Sequence, residues 1–174
     1  VYPLLVGAVP QDIQSKVRKK LVEGWDHLGG GLVGVPVLTE WATQNHETDY
    51  MYRMLKQPDY PGYLYMINLG ATGTWEDWQE PRSHFHNCYN GIGSWFYQAL
   101  GGIIPTKPGY KTVLINPQHP HGLQWVRVSR HTPYGTLIVN WEQEGSRYKL
   151  HLKIPNGITA TIGDKELGAG EYDM

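Results

Sequence analysis

The chain has 174 residues, with 15 Lys and Arg against 16 Asp and Glu and a formal net charge of −1. That balance lacks the basic footprint of a nucleic-acid binder and the polybasic patch of a membrane-surface protein. No apolar run reaches the roughly 18 residues of a membrane-spanning helix. Seven Trp and twelve Tyr stand against two Phe. Such rings offer a flat apolar face and a polar tip, which suits cores, interfaces and sugar-stacking clefts alike. Cys88 is the single cysteine, so no intrachain disulfide forms and cysteine usage does not place the compartment.

The chain opens on the apolar stretch VYPLLVGAVP, with no initiating Met and no signal-like segment. We expect it to begin inside a longer protein. From Pro10 the pattern is helical: Ile13, Val17, Leu21 and Trp25 recur at four-residue steps, with Leu28 after them. Pro10 and Asp12 suit a helix start, and the glycines after Leu28 stop it. Further helices are expected over Val35–Gln44, Glu47–Lys56, the short stretch GYLYMINLG, and Asn90–Ile103. They are short and joined by Gly- and Pro-containing loops, which favours successive antiparallel pairs.

At IPTKPGYK, Ile104–Lys111, the period changes. Tyr148, Leu150, Leu152 and Ile154 alternate with Arg147, Lys149, His151 and Lys153, which predicts a strand with one wet face. Leu137, Val139 and Trp141 form the strand before it, and Gly145 turns one into the other. YKTVLINP, LQWVRVS and ITATI supply further strands. Four or five strands at this spacing predict an antiparallel β-sandwich. The expected division is an all-α piece, 1–104, and an all-β piece, 105–174.

Chemistry concentrates in GATGTWEDWQEPRSHFHNCYNG, Gly70–Gly91. Glu76 lies between Trp75 and Trp78, and a carboxyl group among indoles is partly desolvated, as general acids and bases require. It also fits a plain surface Glu. Asp77 and Glu80 stand near it. His84 and His86 suit hydrogen bonds to hydroxyls. Their i,i+2 spacing lacks a second helical pair of ligands, so no metal site is expected. No nucleophile elbow, phosphate loop or dinucleotide fingerprint is present, and no cofactor is implied. Carboxylate, imidazoles and indole faces together suit a carbohydrate, although glycoside hydrolysis needs two carboxyl groups and the segment offers one clear candidate.

These residues resemble a known family. YLYMINLGATGTWEDW is similar to the Gly-Ala-Thr-Thr-x-Trp-Glu-x-Trp segment of glycoside hydrolase family 78, the α-L-rhamnosidases. SHFHNCYNGIGSWFYQALGGI resembles that family's next segment, a His before a Gly-x-x-Gly-x-Trp-x-Tyr helix, with His86 in the His place. The upstream GGGLVGVPVLTEW and the downstream GYKTVLINPQ, TPYGTLIVNW and LGAGEYDM extend the likeness over nearly the whole chain. The resemblance implies the last helices of an (α/α)6 barrel followed by a β-sandwich. It implies an inverting glycosidase acting on terminal α-L-rhamnosyl groups, with Glu76 as general base, His86 touching the sugar, and Trp78 and Trp75 at the pocket. The partners implied are a rhamnoside and the N-terminal part of the same polypeptide, which would hold the general acid. Gly73 stands where the family has a second Thr, and Asp77 where it has Arg, so the substrate is less defined than the reaction. A non-catalytic carbohydrate-binding or structural fragment, or a related (α/α)6 glycosidase of other sugar specificity, is the alternative.

Overall fold

The computed structural model describes residues 1–79, 82–87 and 89–174, which form two compact units, Val1–Trp95 and Phe96–Met174. Glu80 and Cys88, both weighed above, lie outside the described residues. Among the described residues no helix is long and apolar enough to cross a membrane.

The first unit is helical: α1 (Tyr2–Leu5), α2 (Gln11–Gly24), α3 (Gly34–Gln44), α4 (Thr48–Leu55), α5 (Tyr63–Asn68) and α6 (Ile92–Trp95). Its core is built on α3, which buries Val35, Leu38, Trp41 and Ala42, and on Tyr50, Met51 and Met54 of α4. Two threonines also lie buried on α3. Each satisfies its hydroxyl by donating to the carbonyl one turn back, Thr39 to Val35 and Thr43 to Thr39, both at 2.8 Å. Gly91 lets the start of α6 close on α3, because a Cβ there would stand 2.9 Å from Pro36 Cγ.

Two expectations change here. The helix stops at Gly24, before the glycines that follow Leu28, so Trp25 and Leu28 fall beyond α2. Along the expected stripe Ile13 and Trp25 are exposed, Val17 and Leu21 half-buried, and only Leu28 is buried. The period marks the helix, and the rest of this unit covers its apolar side only in part. The helix expected over Asn90–Ile103 is shorter. After α6 the chain makes a π-helical turn, Phe96–Leu100, closed by Gly101 N donating to Phe96 O at 3.0 Å. It then reverses at Gly102, whose φ is 63° and whose Cβ would lie 2.2 Å from Pro117 N. Only glycine fits that corner, so Ile103 opens a strand instead of closing a helix.

The second unit holds β1 (Ile103–Pro105), β2 (Thr112–Ile115), β3 (Trp125–Thr132), β4 (Gly135–Glu144), β5 (Arg147–Ile154), β6 (Thr159–Ile162), β7 (Lys165–Leu167) and β8 (Gly170–Asp173). They form two four-stranded sheets, β1-β2-β6-β7 and β3-β4-β5-β8. The second is antiparallel throughout, and Gly145 at φ 63° makes the β4–β5 turn. The first is mixed, which departs from the all-antiparallel expectation: β2 and β6 run parallel. The chain leaves β2, builds three strands of the other sheet, and re-enters in the same direction. Val113, Ile115 and Ala160 of the first sheet meet Leu137, Val139, Leu152 and Ile154 of the second in one hydrophobic core. Trp141 is buried and donates its indole N–H to Leu100 O at 2.8 Å, tying β4 to the π-helical turn.

Candidate active site

The segment around Glu76 lies in the helical unit, between α5 and α6, and among its described residues there is no regular helix or strand. It folds instead as an irregular hairpin. His86 N donates to Thr74 O at 2.7 Å, and Glu76 N donates to Ser83 O at 2.9 Å. An ideal antiparallel register would pair Glu76 N with residue 84, so the second arm carries one extra residue, a bulge of the kind that re-aims side chains. The two backbone bonds bracket Trp75 and fix where Glu76 leaves the chain.

Thr74 ties the base of this hairpin. Its hydroxyl donates to His86 O and lies 2.6 Å from Asn90 Oδ1. One hydroxyl has one proton, so with the Asn90 amide turned over its NH₂ donates to Thr74 and both contacts are satisfied. The segment leading to Glu76, His86 and the residues before α6 are thereby joined at one atom.

The aromatic residues hold the two arms from inside. Trp75 is 3% exposed and stacks on His84, with ring centroids 4.8 Å apart. Trp78 is 5% exposed and stacks on Tyr89 at 3.8 Å, while Tyr63 of α5 meets it edge-on at 5.3 Å. The Tyr63 hydroxyl donates to Tyr89 O at 2.6 Å, and burial holds its pKa well above the ordinary tyrosine value. It therefore remains a neutral donor at any working pH. Trp78 also donates its indole N–H to Gly30 O at 3.0 Å.

Glu76 itself is half-buried, and among the described residues no ion pair engages it. The neighbouring Asp77 is exposed and accepts from Gln79 N at 3.2 Å, the local bond of an Asx turn. The two adjacent acids thus occupy different environments. His86 is half-buried and His84 is exposed. Among the described residues no group of three His, Cys, Asp or Glu lies close enough to hold a metal ion. Just before the hairpin, a mainly apolar surface cleft of about 310 Å³ is lined by Tyr63, Met66, Ile67 and the segment Ala71–Thr74. Glu76 lies two residues beyond that lining.

The four residues singled out from the sequence therefore fall on one hairpin, but in different settings. Glu76 and His86 are partly open, whereas both indoles are enclosed with a ring stacked on each. Thr74, Asn90, Tyr63 and Tyr89 were not singled out. Thr74 and Asn90 sit inside the motif segments, and proximity to Glu76 and His86 was the signal available. Nothing in the pattern of α5 marks Tyr63.

Comparison with known proteins covers both units. Residues 1–100 match the bacterial alpha-L-rhamnosidase 6 hairpin glycosidase domain, and residues 102–168 match the bacterial alpha-L-rhamnosidase C-terminal domain. An alpha-L-rhamnosidase of Formosa agariphila is 31% identical over 172 residues, covering 92% of this chain and 19% of its own length. One from an Alteromonas species is 32% identical over 158 residues, covering 84% of this chain and 17% of its own. Among solved structures, the native rhamnosidase of Aspergillus terreus aligns with a TM-score of 0.86 at 26% identity, over 99% of this chain and 23% of that one. The Streptomyces avermitilis alpha-L-rhamnosidase complexed with L-rhamnose aligns with a TM-score of 0.84 at 25% identity, over 98% and 20%. The chain thus spans about a fifth of the length of the curated relatives it matches.

Proposed function

The chain belongs to the bacterial α-L-rhamnosidase family, and from that premise we propose that it forms the general-base side of an inverting α-L-rhamnosidase active site. Glu76 draws a proton from the attacking water. His86 hydrogen-bonds the sugar. Trp75 and Trp78 hold the hairpin from within, so that the carboxylate keeps its aim. The helices before Trp95 are the last of an (α/α)6 barrel, and the general acid comes from the remainder of a longer polypeptide. In an inverting reaction the two carboxyl groups stand roughly 6.5–9.5 Å apart, leaving room for the water.

The observation that carries this reading is the setting of Glu76. It is half-buried, held by a backbone bond to Ser83 O, and free of a pairing cation among the described residues. Such a carboxylate can accept a proton, whereas one clamped by Arg or Lys holds its negative charge too firmly. The incompletely covered apolar side of α2, with Ile13 exposed and Val17 and Leu21 half-buried, supports the barrel reading, since in a complete barrel the rest of the domain would cover it.

The test is Glu76→Gln in the full-length enzyme. Turnover of an aryl α-L-rhamnoside should fall at least a thousandfold with the melting temperature unchanged. Azide needs no deprotonation, and should restore turnover by giving the glycosyl azide inverted at the anomeric carbon. Near-normal turnover in the variant would remove Glu76 from the role. The 174 residues alone should show no hydrolysis, because they supply one side of the reaction.

A further inference from the structure

The outer face of the second sheet carries a group of residues that the Glu76 reading does not use. Trp125 and Arg127 are two apart on β3 and so share one face. Trp125 is 60% exposed, with the Arg127 guanidinium 5.5 Å from its ring centre. Strand register extends the group sideways. Trp125 stands opposite Glu142 and Arg127 opposite Asn140. Beyond them, Glu142 faces Lys149 and Asn140 faces His151. Asp173 closes the row, 2.8 Å from His151 Nδ1. Together these side chains line a surface cavity of about 490 Å³, within the size range of small-ligand sites.

We propose that this face is a second saccharide-binding surface, taking a neutral pyranose chain stacked on Trp125 and hydrogen-bonded by Arg127 and Asn140. A sugar ring presents C–H groups on its faces and hydroxyls on its rim. The indole supplies an apolar platform for the face. Around it, Arg127 only donates, Glu142 only accepts and Asn140 does both, which matches hydroxyls that do both. Charge selects against other ligands. Arg127 and Lys149 are offset by Glu142 and Asp173, so the face offers no net positive field to a polyuronate or a phosphate backbone. The platform lies on an extended sheet, which suits successive rings of a chain better than one enclosed monosaccharide. This inference does not depend on the role of Glu76.

Native gel electrophoresis of the full-length protein through neutral polysaccharides (a β-glucan, a galactan, a xylan and a mannan), with polygalacturonate as the acidic comparison, tests it without any turnover. At least one neutral polymer should retard the protein. Trp125→Ala should weaken that retardation at least tenfold, and Arg127→Ala several-fold, with melting temperatures unchanged. Trp125→Tyr, which keeps a ring, should retain most of the binding and controls for folding. Retardation by polygalacturonate alone, retardation that survives Trp125→Ala, or none by any polymer would overturn the proposal.

Discussion

The indole N–H of Trp78 donates to the carbonyl of Gly30 at 3.0 Å, joining segments 48 residues apart. The same ring is stacked on Tyr89 at 3.8 Å and met edge-on by Tyr63. One side chain thus links the Gly-rich loop before α3, helix α5, and the turn before α6 to the hairpin that carries Glu76. We predict that Trp78→Ala costs about 3–5 kcal/mol, as for other buried aromatic truncations. Trp78→Phe keeps the stack and loses one bond to a half-buried carbonyl, which costs about 1 kcal/mol. Denaturant midpoints give the stabilities. If Trp78→Ala unfolds at the wild-type midpoint, the ring does not brace the unit.

Thr74 should be a positioning residue. Its hydroxyl joins the two arms of the hairpin through His86 O and Asn90, so Thr74→Ser should preserve turnover of the full-length enzyme. Thr74→Val keeps the shape and removes the bond. It should lower kcat roughly tenfold, the scale of about 1.4 kcal/mol in a barrier, with a smaller change in KM. A purely structural role would instead show as a lowered melting temperature with kcat intact.

Much of this arrangement is legible in the sequence. Period-two alternation in residues 147–154 placed Leu152 and Ile154 in the core, where they lie. Tyr148 belongs to the same face, but sits near the hairpin end and stays 38% exposed. The mixed sheet was not readable, because alternation reports which face a residue takes and says nothing about strand direction. The π-helical turn is hidden because a single five-residue turn is too short for its wider period to show in the apolar spacing, and the corner at Gly102 is imposed by Asn116 and Pro117, fourteen or more residues later. At the candidate site, composition marked Glu76 and His86. It could not separate an indole that faces a sugar from one that stacks on His84 or Tyr89, since both uses call for the same residue.

Gly73 stands where the family's segment has Thr, and this chain should tolerate a side chain there. Its φ is not in the left-handed region, and an added Cβ would meet Phe85 Cδ2 at 3.2 Å. Phe85 is 88% exposed and can swing away. Gly73→Ala should therefore stabilise the unit by about 0.4–1 kcal/mol, by restricting the unfolded chain. Thermal melting of the variant decides it. A clear destabilisation would mean that Phe85 is held in place.

His119 should make the β unit sensitive to mild acid. Its ring stacks on Tyr148 at 3.7 Å and meets Trp141 edge-on at 4.6 Å. Burial disfavours the imidazolium and lowers its pKa below the usual 6.5. Above that value the ring is neutral in both folded and unfolded chains and contributes no pH dependence. As the pH falls below it, the unfolded chain binds a proton that the folded chain does not yet hold, so stability drops. The loss continues until the pH reaches the folded pKa and then levels off. Melting temperatures measured across roughly pH 5 to 8, the range in which histidines titrate, should fall on the acid side. His119→Phe, which keeps a ring against Tyr148, should flatten that part of the curve. Parallel curves for the two proteins would assign the acid sensitivity to another group.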